Sequence, residues 1–285
     1  MIVTKVYGGL AGQMIQYAVG KQISTKYGAP LYLDTSWFSY GAFHRPEFPR
    51  EFKLDRFQVN YAQVDNSSLF WKLKLTSRFR KYNPFSLPVV KEKDHTRFDP
   101  GVLASGKKLV LDGYWNSFKY FEGIREELLQ EFTPKEQPDE RNRQVLEKIR
   151  NTNSVSIHFR RGDYKLTAFH GILSKEYYLK AIETVTKNLD NPQLFLFSDE
   201  PDWVFENMKF DLPYEVIDFN KNDKNYWDIE LMRNCKHNII ANSGFSWWGA
   251  WLNRNPEKVV VAPKIWFAKG ENPMNEFVPA TWIRY

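Results

Sequence analysis

A single cysteine, Cys235, stands in 285 residues. One thiol excludes an internal disulfide and any cysteine-rich zinc cluster, and it points to a reducing compartment. Long apolar runs are also scarce. The most apolar long stretch, "NIIANSGFSWWGAWLN" (238–253), is broken by asparagines and serines well short of the ~20 apolar residues of a spanning helix. The opening "MIVTKVYGGLAGQ" lacks the charged start, long apolar segment and processing site of a secretory signal. The chain is therefore expected to be soluble and cytoplasmic. No repeat at solenoid periods and no low-complexity tract is visible.

What is present describes a globular protein. Hydrophobic residues make up 42% and aromatics 16%, enough to exclude disorder, and the length allows one large domain or two ordinary ones. The formal charge of +6 has a location: between Phe70 and Lys93 stand Lys72, Lys74, Arg78, Arg80, Lys81, Lys91 and Lys93 against Glu92 alone, which leaves the remainder neutral. Basic residues interleaved with Phe70, Trp71, Phe79 and Tyr82 fit peripheral contact with an anionic membrane or nucleic acid, or a solvated face that packs its aromatics inward.

Periodicity predicts an α/β protein. "IVTKVY" (2–7) reads as a strand and "GGLAG" as a turn. A helix follows, with apolar Ile15, Ala18, Val19 and Ile23, closed by Gly28, and "LYLD" (31–34) is a second strand. From about 36 to 100 no clean period emerges. "EFTPKEQPDERNRQ" (131–144) is polar with two prolines, a link between domains expected at 1–135 and 136–285. Beyond it "VSIHF", "LFLFS", "YEVID", "HNIIA" and "KVVVA" alternate with helical segments, the pattern of a doubly wound parallel sheet.

Ligands of such sheets bind outside the carboxyl ends of the strands, and there the unusual residues fall: Arg160, Arg161 and Asp163, then Ser198 and Asp199, then Asn242 and Ser243. Adjacent guanidiniums suit bidentate contact with phosphate, although an Arg/Asp pair can also simply close a turn. Ser243, Gly244 and Ser246 open a helix, a second place that favours an anion. Two such tips on one sheet edge suggest a diphosphate ligand. Trp247, Trp248 and Trp251 read as core, or as flanks for a base or sugar. The acids of "SDEPD" read as caps of the next helix, or as ligands of a divalent metal. His158 and His237 lie within strands, where a core role is common. A rival reading takes the glycine turn with Asp34 as a dinucleotide site and the chain as an NAD-dependent oxidoreductase, but Tyr7 occupies the place of the fingerprint's first glycine.

"IHFRRGDY" (157–164) resembles the HxRRGDY motif of the α-1,2-fucosyltransferases of glycosyltransferase family 11. "CKHNIIANSGFSWWGAWLN" resembles that family's second signature, with "VVVAPKIWF" after it, and "GGLAGQMIQYA" is similar to its GGLGNQMFQYA, with Ala11 and Gly12 replacing Gly and Asn. The resemblance spans residues 8–267. It implies a GT-B-like architecture, two Rossmann-like domains facing across a cleft. It implies metal-independent, inverting transfer of L-fucose from GDP-β-L-fucose to the 2-hydroxyl of a galactose or similar sugar, on an oligosaccharide or lipid-linked glycan as in bacterial O-antigen synthesis. No cofactor and no nucleic-acid partner are expected. Carried over by motif, Arg161 and Arg160 would stabilise the leaving phosphate. His158, Asp163, Ser198, Asp199, Asn242, Ser243, Ser246 and Trp247, with Gly8, Gly9 and Gln13 from the first turn, would shape the donor site. His158 and Asp163 are both candidates for the proton-accepting base.

Overall fold

A computed structural model of the chain describes residues 1–39, 50–65 and 86–285. The membrane-contact reading of 70–93 falls on residues outside the described ones, apart from 86–93. Among the described residues no helix is long and apolar enough to cross a membrane.

The chain divides into two compact units, Met1–Thr133 and Pro134–Tyr285. Unit 1 carries a parallel sheet of β1 (Ile2–Lys5), β2 (Leu31–Asp34), β3 (Ala62–Gln63), β4 (Val89–Lys91) and β5 (Leu109–Asp112) in the order β3-β2-β1-β5-β4. β1 and β2 are joined by the helix Leu10–Tyr27, which ends because Gly28 turns into the left-handed region (φ 58°) and its N–H caps Ser24 and Thr25. Within 36–100, where periodicity fails, the described elements are mostly short: strands of two and three residues and single turns of helix. Such pieces are too brief to repeat a period.

Unit 2 carries β6 (Asn153–Phe159), β7 (Pro192–Ser198), β8 (Tyr214–Ile217), β9 (His237–Ile239), β10 (Val260–Ala262) and β11 (Ile283–Arg284), all parallel, in the order β11-β10-β9-β6-β7-β8. The five strands expected from sequence are there, with a short sixth at the edge. Val155, Ile157 and Phe159 on one face of β6, with Leu194 and Leu196 of β7, pack the helix Lys175–Thr186 through Tyr178, Ala181, Ile182 and Val185. Polar residues inside β6 have partners that set register. Ser156 stands opposite Asn238 of β9 and its hydroxyl accepts from the Asn238 amide at 2.7 Å, while Asn253 donates to the Asn238 oxygen at 2.8 Å. A one-residue slip would bury these groups unpaired, at a cost of about 1–3 kcal/mol each. Cys235 is buried and burial pushes its thiol up, so it is an inert core residue.

In both units the order of strand addition reverses beside the first strand, between β1 and β5 and between β6 and β9. These switch points are where an open α/β sheet offers a crevice at its carboxyl edge.

Candidate active site

The loop after β6 holds the charged cluster. Arg160 is gripped from two sides: its Nη2 donates to Asp163 at 2.5 Å and its Nη1 pairs with Asp199 at 2.9 Å, with the ring of Tyr164 5.1 Å away. Asp199 also accepts from the backbone N–H of Arg161 at 3.0 Å. Gly162 is required between them, because a Cβ there would meet the Asp199 carboxylate at 2.6 Å. Arg161 turns the other way. Its Nε donates to Glu200 at 3.2 Å, its guanidinium lies 3.6 Å from the centroid of the Trp203 ring, and Lys165 pairs with the second oxygen of Glu200. Three cations thus face three carboxylates, and the cluster is neutral as it stands. Among the described residues, the Nη atoms of Arg161 meet no hydrogen-bond partner, so that edge of the guanidinium is available to an anion.

The acids of "SDEPD" do not cap the helix Pro201–Asn207: its N-cap, Glu200, makes no side-chain cap bond. Ser198 accepts from the Glu200 N–H at 3.0 Å, and Asp199 and Glu200 are drawn instead to the two arginines. Among the described residues no group of three His, Cys, Asp or Glu is arranged to hold a metal.

A cavity of about 690 Å³ opens at the carboxyl edge of β6, β7 and β8. Arg160, Asp199 and Glu200 stand on its wall, while Arg161 lies behind Glu200 and Trp203. Its inner end is narrower in chemistry: His158, Phe245, Ile217 and Asp228. His158 is buried, its Nδ1 has no partner, and burial followed by the nearby Arg160 charge pushes its pKa down to about 3. The imidazole is neutral at any physiological pH. Asp228, in the first turn of the helix Tyr226–Asn234, has its pKa pushed up to about 8 by burial. One of its oxygens accepts from Asn220 at 2.9 Å, and Asn220 in turn exchanges amide bonds with Asn142 at 2.9 and 2.8 Å. The second oxygen is left to the cavity. Sequence reasoning missed Asp228, because an acid in a helix's first turn is common and its spacing signals nothing more.

The second tip is the helix start expected from sequence, and its serine hydroxyls are engaged within the turn. Ser243 caps the helix Gly244–Trp251 by accepting from Phe245 N–H at 3.3 Å. Ser246 is buried and its hydroxyl closes the same turn, accepting from Ala241 N–H at 3.2 Å. Asn242 ties two loops, donating to the carbonyls of His170 and Trp266 at 2.9 and 3.1 Å, and its own carbonyl accepts from the Tyr164 hydroxyl. Trp247 is a core residue, stacked on Trp251 with its indole N–H on the Phe277 carbonyl at 2.6 Å. His237 accepts from Val259 N–H within the sheet.

In unit 1, Gly8 takes a positive φ of 79° and Gly9 caps the first helix. Gln13 is fully buried, and its amide donates to the Gly8 and Glu51 carbonyls while accepting from Lys53 N–H. Asp34 is buried and accepts from Ser36 N–H at 3.1 Å, turned into the next helix rather than toward the glycine turn. The dinucleotide alternative is therefore not favoured.

Two doubly wound parallel sheets, the second with a charged cavity at the carboxyl edge of β6, β7 and β8, make a GT-B-like α/β fold. The chain belongs to glycosyl transferase family 11, whose family model matches residues 96–283. It is similar to an alpha-1,2-colitosyltransferase of Escherichia coli, 30% identical over 100% of this chain and 98% of that protein. It is also similar to the O-antigen biosynthesis glycosyltransferase WbnK of Escherichia coli, 32% identical over 97% of each. A galactoside alpha-(1,2)-fucosyltransferase 1 of Leontopithecus chrysomelas is 28% identical over 50% of this chain and 43% of that one. Among solved structures, the fucosyltransferase NodZ from Bradyrhizobium aligns at 12% identity over 87% of this chain and 91% of that chain, with a TM-score of 0.41.

Proposed function

We propose that the chain is an inverting α-1,2-fucosyltransferase that moves L-fucose from GDP-β-L-fucose to the 2-hydroxyl of a galactose or similar residue on a surface-polysaccharide glycan. The observation that carries this reading is family membership across the chain, with relatives whose names specify α-1,2 transfer and O-antigen synthesis. Unit 2 is the nucleotide-sugar side and unit 1 the acceptor side.

The chemistry fits the cluster after β6. Breaking the anomeric C–O bond leaves negative charge on the diphosphate and oxocarbenium character on the sugar, so fixed cations at the diphosphate lower the barrier most. Arg160, already on the cavity wall and held rigid by two carboxylates, meets the diphosphate first. Arg161, held by Glu200, offers its open Nη edge, and Lys165 on the other Glu200 oxygen adds a third cation beside it. These three cations supply charge neutralisation of the kind a divalent metal gives elsewhere, so the reading calls for no metal. At the inner end of the cavity, the Asp228 oxygen left free by Asn220 accepts from the N–H donors of a guanine edge once the carboxyl gives up its proton, beside the Phe245 ring and the neutral imidazole of His158. The acceptor hydroxyl attacks from the face opposite the phosphate, and its proton passes to a base. Asp163, already committed to Arg160, and His158, with its depressed basicity, are both poorly suited to that role, which leaves it to solvent.

A colitosyl donor is the second reading, favoured by the full-length relation to a colitosyltransferase. Incubation with a β-galactoside and either GDP-fucose or GDP-colitose, followed by NMR of the product, tests both. Release of GDP with a new α-linkage at O2 is expected from GDP-fucose. Transfer from GDP-colitose alone would move the assignment to the second reading, and a linkage at another hydroxyl would overturn both.

A further inference from the structure

Unit 1 has a switch point of its own. β1 pairs with β2 on one side and with β5 on the other, so the crossovers part between β1 and β5 and leave a crevice at their carboxyl ends. The residues standing over it are aromatic. Tyr7 follows β1 and Tyr114 follows β5, and their rings meet edge to face with centroids 5.1 Å apart at 84°. Trp37 leans on Tyr7 from beyond β2, at 6.5 Å. Tyr114 is 51% exposed, whereas its neighbour Trp115 is fully buried.

This division is built into the backbone. Glu92, just past β4, accepts from the N–H of Tyr114 at 2.7 Å and of Trp115 at 2.6 Å. Trp115 is held at a φ of 57°, a left-handed conformation that a bulky residue rarely adopts. Gly113 has no room for a side chain, since a Cβ there would meet Glu92 at 2.5 Å and the Trp115 ring at 2.8 Å. A turn that only needed to change direction would not force a tryptophan into this region. At this bend the preceding ring, Tyr114, stands out over the strand ends while Trp115 turns into the core.

The rim is polar. Lys5 and Asp112, the last residues of the same two strands, form a partly exposed ion pair at 3.0 Å. An exposed aromatic face beside paired donors and acceptors is matched by a pyranose, whose C–H face is apolar and whose edges carry hydroxyls. Lys5 and Asp112 cancel each other's charge, and both Glu92 oxygens are held by backbone N–H groups, so the rim offers polar contacts without a free charge, which suits a neutral sugar. We propose that Tyr114, braced by Tyr7 and rimmed by Lys5 and Asp112, is the platform on which the terminal hexose of the acceptor stacks. The proposal rests on the glycosyl-transfer reading and adds to it the residues that hold the acceptor.

The test uses the full chain with Tyr114→Ala and Tyr114→Phe, after thermal melts confirm that both fold. Saturation-transfer NMR with methyl β-galactoside and other methyl hexosides reads acceptor contact without any donor. Transfer to the ring C–H protons is expected in the parent and in Tyr114→Phe, and its loss is expected in Tyr114→Ala. In turnover, Tyr114→Ala should raise the acceptor KM about ten-fold or more, with the Kd for GDP within two-fold of the parent. Absence of transfer from every hexoside in the parent, or full transfer in Tyr114→Ala, would overturn the platform. Hexoside contact that vanishes in Tyr114→Ala, in a protein that turns over neither GDP-fucose nor GDP-colitose, would support the platform while sinking the donor assignment.

Discussion

The guanidinium of Arg161 lies 3.6 Å from the centroid of the Trp203 ring while its Nε is bonded to Glu200. Stack and ion pair together fix the plane of the guanidinium and leave its Nη edge open. Trp203→Ala should therefore lower kcat/KM about ten-fold while leaving the ion pair in place. Arg161→Lys should not restore activity lost in Arg161→Ala, because an ammonium cannot keep the ring contact, the Glu200 bond and a second donor edge at once. Steady-state kinetics with saturating acceptor reads both, and a fully active Arg161→Lys variant would contradict the geometry.

Asp228 predicts a pH-dependent stability. Its carboxyl ionises near 4 when unfolded and near 8 when folded, because burial penalises the charge. Below pH 4 both states hold the proton and nothing is lost. As pH rises from about 4 to about 8 the unfolded state ionises first, so stability is progressively lost across that window and the loss is complete above it. In Asp228→Asn this loss disappears while the Asn220 contact can persist. Melting temperatures measured from pH 4 to 9 should show the variant gaining on the parent as pH rises, with a plateau above 8. A gap that does not change with pH would refute the assignment.

His158, at a pKa of about 3, stays neutral from pH 5 to 9. The pH profile of kcat/KM should therefore show no limb near 6.5 that His158→Asn removes. If such a limb exists and vanishes in the variant, the imidazole titrates in the working range and serves as the base.

These predictions differ in how far the sequence led to them. The strands β1, β2 and β6 to β10 were legible because each is a short stretch rich in apolar residues bounded by polar turns, and Arg160, Arg161 and Asp163 stood out as charge at the tip of such a stretch. Their partners were less so. Glu200 and Asp199 lie about forty positions on, and only the β6–β7 pairing, with Phe159 opposite Ser198, brings them to the arginines. Asp228 and Asn220 were invisible because an acid in a helix's first turn has the same pattern in sequence whether it faces a cavity or open solvent. The bend at Trp115 was invisible for another reason, since no local rule places a tryptophan at positive φ.

Gln13 shows how a motif residue can act on the fold. Its buried carboxamide makes three bonds that hold the glycine turn against residues 51–53. Gln13→Ala should cost about 3 kcal/mol in denaturant unfolding, since it strands buried backbone groups. A loss under about 0.5 kcal/mol would mean that water replaces the amide.

The cations after β6 are proposed to hold the diphosphate of a guanine nucleotide, and calorimetric titration of GDP reads that contact. Binding is expected in the parent, with GDP preferred over UDP and NAD, and affinity should fall on the order of 100-fold when Arg160 and Arg161 are replaced together by Ala. Equal GDP affinity in parent and double variant, with both proteins folded, would contradict the account.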